Sequence, residues 1–194
     1  MKFNYITIER EYASGGSEIG KRAAQLLNIP CYGREVLEIT AKRRGVSVDY
    51  VEELEENSSG SFLYSLYKMS NVTSLTPSEK VNAEEIGVIK ELSGNGPAVF
   101  VGRSASFALE EKKNVLRVFV HASDEFREKR ACEVYGIESA SVRTIIKKYD
   151  KRRAAYYKSN LGKEWKDYEK YDLVLDSSII GIERCAALIA ECAK

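Results

Sequence analysis

Histidine is nearly missing from this chain of 194 residues: there is one, His121, set in the apolar run VLRVFVHA. A lone strand-end histidine excludes Ser-His-Asp hydrolysis, HExxH metalloprotease chemistry and histidine-ligated metals. The four cysteines, Cys31, Cys132, Cys185 and Cys192, form no CxxC pair, so neither a zinc ribbon nor a disulfide framework is expected. No apolar run approaches the roughly 18 residues needed to cross a bilayer. The opening MKFNYITIER lacks the charged and apolar regions of a signal peptide, and a cytoplasmic protein with no membrane partner is expected. Charge of one sign is lacking too. A net charge of +1 argues against indiscriminate nucleic-acid binding, and no aromatic-and-basic strand pattern of the RNA-binding kind is present.

What the chain does have is a globular balance, 44% hydrophobic and 30% charged, in a length that suits a single domain over residues 1–194. A chain of this size builds a core without a disulfide or metal staple. The charge is unevenly placed. Val48 to Asn95 holds nine acidic residues against three basic ones, whereas Arg143 to Lys170 holds ten basic against four acidic. The basic arm suits a solvated helix, an anion clamp or an RNA contact, and charge alone does not choose among them. The acidic run Glu52, Glu53, Glu55 and Glu56 reads as a solvated helix face.

Short apolar, β-rich runs at Phe3–Ile8, Ala98–Val101, Val115–Val120 and Asp172–Leu175 have the pattern of buried parallel strands. Helical spacing appears between them at Glu18–Leu27, Glu84–Leu92, Ser123–Tyr135 and Ile182–Cys192, with Ser123 as an N-cap. This alternation predicts an α/β fold with a central parallel sheet and right-handed crossovers. Asn57 to Lys80 fits no single element; it reads as an irregular insertion over a site or as a short helix through Phe62, Leu63, Leu66 and Tyr67.

The first strand runs into Glu9-Arg10-Glu11-Tyr12-Ala13-Ser14-Gly15-Gly16-Ser17, followed directly by a helix. In an open α/β sheet this turn is the usual phosphate cradle, because glycines let backbone N–H groups converge on an anion at a positive helix end. A tight turn in a protein without a nucleotide is the competing reading. The phosphate-loop pattern is imperfect. Gly15-x4-Gly20-Lys21 would bury the glycine and lysine a turn inside the helix. The alternative register places Gly15-Gly16-Ser17 on the motif's terminal Gly-Lys-Ser/Thr, which puts Arg10 at the first glycine and Gly16 where a lysine is usual. Ser17 then keeps the place of a Mg²⁺ ligand.

Taken together, ITIEREYASGGSEIGKRAAQLL, NIPCYGREVLEITAKRRG, GPAVFVGRSASFAL, NVLRVFVHASDEFREKR, IIKKYDKRRAAYYKSNLGKEW and YDLVLDSSIIGIE resemble the cytidylate kinase-like family over nearly the whole chain. The resemblance implies a three-layer P-loop NTPase fold with helices on both faces of the sheet, a monophosphate-binding insertion at about residues 32–95 and a lid at about 143–170. It implies ATP and Mg²⁺ as cofactors and phosphoryl transfer to a nucleoside monophosphate, CMP or dCMP first. Another small phosphate acceptor, or a nucleotide-binding protein without catalysis, are the alternatives.

The resemblance also implies residue roles. Gly102-Arg103-Ser104 matches a Gly-Arg-Asp in which the arginine grips the acceptor phosphate and the aspartate helps read cytosine; Ser104 departs from it. Asp150-Lys151-Arg152-Arg153 resembles the lid, whose arginines close over the transferring group, and Arg127 and Arg130 match the helix leading to it. The implied catalytic set is Arg10, Arg103, Arg152 and Arg153. Ser14, Gly15, Gly16, Ser17 and Arg130 are the implied nucleotide contacts. Tyr32, Arg34, Arg103 and Ser104 form the acceptor site, Glu35 lies beside them, and Asp176-Ser177-Ser178 resembles the family's Asp-Thr-Ser turn. The reaction needs cationic stabilisation of phosphoryl oxygens more than a general base, which suits a chain rich in arginine and poor in histidine. Tyr156, Tyr157 and Trp165 suit either a stack on a base or the packing of a lid hinge.

Overall fold

A computed structural model describes residues 1–57, 76–162 and 164–194 of the chain. The five strands are β1 (Tyr5–Arg10), β2 (Cys31–Tyr32), β3 (Ala98–Val101), β4 (Val115–His121) and β5 (Leu173–Asp176). They form one parallel sheet in the order β2-β3-β1-β4-β5, with Ile8 opposite both Val101 and Val118. Helix α1 (Gly16–Leu27) follows β1, and α2 (Arg34–Arg44), α3 (Val48–Asn57) and α4 (Pro77–Gly94) lie between β2 and β3. Then come α5 (Ala105–Ala108), α6 (Asp124–Tyr135), α7 (Val142–Leu161), α8 (Ser177–Ile180) and α9 (Ile182–Ala193). The expected helix through Phe62, Leu63, Leu66 and Tyr67 lies outside the described residues.

Alternation along β1 builds the layers. Ile6 and Ile8 point to one face, where with Val99, Val101, Val118 and Val120 they bury Ile19 and Ala23 of α1 and Cys185, Ala186 and Ile189 of α9. Tyr5 points to the other, joining Phe100 against Val36 of α2, Val88 and Ile89 of α4, and Ala105 and Ala108 of α5. Gly20 lets α1 lie close on the sheet: a Cβ there would stand 2.7 Å from Val101 Cγ2 and 3.2 Å from Ile8 Cδ1. Helix α4 begins with a full capping box, Thr76 accepting from the Glu79 N–H while the Glu79 carboxylate accepts from that of Thr76.

Two expectations shift. The first strand runs from Tyr5 to Arg10, two residues later than its apolar letters, because Glu9 and Arg10 pair in register with Phe119 and Val120 of β4. The glycine turn therefore starts at Glu11. A two-residue β2, too short to leave a periodic signal, also extends the sheet. Strand β1 sits between β3 and β4, so chain connections leave it in both directions, and the carboxyl ends of these three strands are where such a sheet offers a crevice.

Candidate active site

Helix α1 opens with Gly15 in the left-handed region (φ 81°), and the N–H groups of Gly15, Gly16 and Ser17 take no hydrogen-bond acceptor among the described residues. These are the orphan donors of a helix start, facing the crevice. Both glycines are required by contact. A Cβ at Gly15 would collide with Ile182, and one at Gly16 would stand 2.5 Å from Arg10 Cβ and 2.9 Å from its Cγ. Ser14 differs from its neighbours: its hydroxyl and N–H both turn back to the Glu11 carbonyl, at 2.9 and 3.3 Å, and its own carbonyl accepts from Ser177 Oγ at 2.6 Å. It braces the loop. Ser17 is exposed to a cavity of about 210 Å³ lined also by Arg10, Lys21, Gly33, Arg34 and Arg103.

Arg10 leaves the end of β1 and lies across this loop to Gly102, after β3, where a Cβ would meet its guanidinium carbon at 2.9 Å. Gly102, Arg103 and Ser104 then run through three successive left-handed conformations (φ 72°, 58° and 53°). Two non-glycine residues in that region form a strained turn, the kind that binding sites retain. From this turn Arg103 lines the same cavity as Ser17, and Ser104 is buried.

A second cavity, of about 280 Å³, is lined by Glu9, Arg10, Glu52, Arg103, Ser104, Tyr149, Arg152, Arg153, Tyr156 and Trp165, among others. Arg10 and Arg103 belong to both cavities and form the wall between them. Glu9 is 4% exposed, and its Oε1 is enclosed without a hydrogen-bond partner among the described residues. Burial raises its pKa, opposed by Arg10, Arg153, Trp165 and Arg103 in that order. Burial also lowers the pKa of Arg153, whose guanidinium donates to the Arg10 carbonyl at 2.8 Å.

The basic arm is helix α7, folded down on the glycine turn. Asp150 accepts from the Tyr12 N–H at 2.8 Å and pairs with Arg127. Arg127, nearly buried, also donates to the Tyr12 carbonyl at 2.8 Å and meets Glu11 at 3.3 Å, and Glu11 pairs in turn with Lys166. The Tyr12 ring stacks on Tyr149 with centroids 4.3 Å apart, while Arg153 lies over Tyr12 and Arg152 over Tyr149. Tyr156 ties α7 to α4, its hydroxyl 2.9 Å from Asn82 and 2.7 Å from Glu85. Tyr157 and Trp165 bury against Phe119 and also line the larger cavity.

Arg10, Gly15, Gly16, Ser17, Arg103, Ser104, Arg152 and Arg153 therefore converge. Arg130 stands at the rim beside Gly15, paired with Glu18, its Nε buried without a partner. Arg34 is exposed, paired with Glu52 and Glu38 at the mouth of the smaller cavity. Tyr32 packs on Phe100 and lines neither cavity. Lys21 is exposed and lines the smaller cavity. Sequence reading missed Glu9, whose single acidic letter at a strand end carries no periodic signal, and the contact of Glu11 and Asp150 through Arg127.

A model of the cytidylate kinase-like family matches residues 5–179. The chain belongs to the cytidylate kinase-like family. An uncharacterized protein from Eubacterium ventriosum has a similar structure, with a TM-score of 0.74, 21% identity and 97% of each chain covered. Shikimate kinase from Bacteroides thetaiotaomicron is similar at a TM-score of 0.55 and 14% identity, again over 97% of each chain. A shikimate kinase from Acinetobacter baumannii, in complex with shikimate, gives 0.50 and 12%, covering 97% of this chain and 91% of that one. No curated protein sequence matches. The fold is that of P-loop kinases, and among the described residues no helix is long and apolar enough to cross a membrane.

Proposed function

We propose that this cytidylate kinase-like protein transfers a phosphoryl group from ATP to a nucleoside monophosphate, CMP or dCMP first. The observation that carries the reading is the wall of Arg10 and Arg103 shared by two cavities, one at the glycine turn and one under α7. A group that passes between two sites needs cations at the boundary.

The residues present fit the donor. Three free N–H groups at a helix start suit a phosphate chain, and Ser17 offers one hydroxyl oxygen to Mg²⁺, a cation that keeps water and phosphate oxygens as its other ligands. ATP supplies the transferable γ-phosphoryl group. An oxygen of the acceptor attacks the γ-phosphorus, the bond to the β–γ bridging oxygen breaks, and ADP leaves. Arg10 spans the place where a P-loop lysine ordinarily acts, Arg103 holds the acceptor's anionic group, and Arg152 and Arg153 close from α7. Their planar guanidinium forks hold phosphate oxygens in pairs, which suits charge spread over equatorial oxygens.

The test is a screen of nucleoside monophosphates, with shikimate as a hydroxyl acceptor of another class, incubated with ATP and Mg²⁺ and read as ADP release and phosphorylated product. Formation of CDP or dCDP supports the reading. Phosphorylation of a non-nucleotide alone moves the protein to another acceptor class; nucleotide binding without any product makes it a non-catalytic binder.

A further inference from the structure

Glu18 puts a carboxylate in the first turn of α1, directly after the Gly15, Gly16 and Ser17 N–H groups that take no acceptor among the described residues. A negative side chain there suits the helix dipole but repels an anionic ligand, so its charge has to be balanced. Two arginines balance it, one on each oxygen. Arg22, one turn further along α1, donates to Oε1 through Nε at 3.1 Å and Nη2 at 2.6 Å. Arg130, from α6, donates to Oε2 through Nη2. Arg22 also pairs with Glu183 of α9, so Glu18 is fixed from behind and has Oε2 left for Arg130. The Arg130 side chain is 16% exposed, and its Nε is enclosed without a partner, 3.5 Å from where a Cβ on Gly15 would stand. An unpaired buried donor is costly, and an arginine not held there would turn its head group to water. Among the described residues only Glu18 pairs with this guanidinium, so Glu18 holds the cation against the glycine turn. Burial by itself would raise the Glu18 pKa; the hydrogen bonds from Arg22 and Arg130 bring it below the ordinary value, which keeps the carboxylate charged.

We propose that Glu18 is a positioning residue of the donor site: it touches no phosphate and acts through Arg130, which it pins beside Gly15 so that the cation faces the phosphate chain. This rests on the reading above that ATP binds at the glycine turn, and it gives an acid next to that turn a function. A pinned guanidinium has already lost the side-chain freedom that binding would otherwise take from it, so more of its attraction reaches the ligand. The consequence is a sign. An acid that acted only by its charge would weaken the binding of an anion, and its removal would tighten it. An acid that holds a cation in place does the opposite.

The test measures affinity for ATP and for tripolyphosphate by calorimetry, with no acceptor and no turnover. The proteins are the wild type, Glu18→Ala, Glu18→Gln, Arg130→Ala and the double variant of Glu18→Ala with Arg130→Ala. Arg130→Ala should weaken both ligands by ~10-fold or more, through loss of a charge-assisted contact, and Glu18→Ala should weaken both by several-fold. Glu18→Gln, which keeps an acceptor oxygen without the charge, should fall between Glu18→Ala and the wild type. In the Arg130→Ala background, Glu18→Ala should weaken binding no further, because the residue it acts through is gone. A merely structural acid would add its loss in both backgrounds. Thermal melts show whether each variant folds, and Glu18→Gln carries the same cycle if Glu18→Ala does not. Additive losses, ATP binding unchanged or tightened in folded Glu18→Ala, or a loss seen with ATP and absent with tripolyphosphate, overturns the inference. A wild type that binds ATP, gives the non-additive cycle and phosphorylates nothing loses the transfer reading and keeps this inference. A wild type that binds neither ligand overturns both.

Discussion

A Cβ placed on Gly16 would stand 2.5 Å from the Cβ of Arg10. The two positions compete for one space, and the chain fills it from Arg10. In the register that aligns Gly15-Gly16-Ser17 with Gly-Lys-Ser/Thr, the proposed role of Arg10 is to supply, from the end of the preceding strand, the cation that the loop's penultimate position lacks. Gly16→Lys alone should therefore displace Arg10 and lower kcat/KM by ~100-fold or more, whereas Gly16→Lys combined with Arg10→Gly should recover much of the loss. Steady-state kinetics on both single variants and the double variant measures the coupling.

Arg103→Ala should lower kcat/KM for the acceptor by roughly 10-fold to 100-fold, from loss of a charge-assisted contact worth about 1.5–3 kcal/mol. The ATP dissociation constant, measured without acceptor, should change less. Equal losses on both substrates would mean that Arg103 serves the wall as a whole.

Arg127 is placed to hold the fold more than the reaction. It is 4% exposed and joins Glu11, Asp150 and the Tyr12 carbonyl, so Arg127→Ala would remove the cation between the buried Glu11 and the partly buried Asp150. Breaking such a pair costs about 3–5 kcal/mol. At roughly 2–4 °C per kcal/mol for a chain of this size, the melting temperature should fall by more than about 6 °C in calorimetry. An unchanged value would remove Arg127 from the framework.

Glu9 gives a pH signature. Burial raises its pKa above 4.5, opposed by Arg10, Arg153, Trp165 and Arg103, and its charge in turn raises the pKa values of Tyr157 and Tyr171. Between the unfolded value and the raised one the folded state holds more protons, so its stability falls as pH rises through that window. Wild-type protein should lose stability relative to Glu9→Gln from pH 4.5 upward, levelling above the folded pKa. Parallel curves in thermal melts against pH would place Glu9 in an ordinary solvated setting.

The sheet was legible in the sequence because its central strands β1, β3 and β4 are largely buried on both faces and read as mostly apolar runs, Ala98–Val101 most plainly, where expected and observed bounds coincide. Helices with one apolar face, such as Ile182–Ala193, were visible for the same reason. What escaped was polar. Glu9 and Arg10 extend β1 because β4 pairs with them, a fact their letters do not carry. Ser14 looked like a phosphate ligand by position, but its side chain closes a local turn onto Glu11. Asp150 stood in a lid-like DKRR, yet its bond to Tyr12 depends on a partner 138 residues away. Spacing reports local period; these contacts depend on tertiary approach.

The central claim is that phosphate crosses from the glycine turn to the cavity under α7 past Arg10 and Arg103. Transfer of label from γ-labelled ATP to CMP, with Mg²⁺ present, tests it most directly when wild type, Arg10→Ala and Lys21→Ala are run side by side. The account predicts labelled CDP from the wild type, little or none from Arg10→Ala, and a smaller loss from Lys21→Ala, which lines the smaller cavity alone. Full transfer by Arg10→Ala with none by Lys21→Ala, or no labelled product from the wild type with any monophosphate, would contradict it.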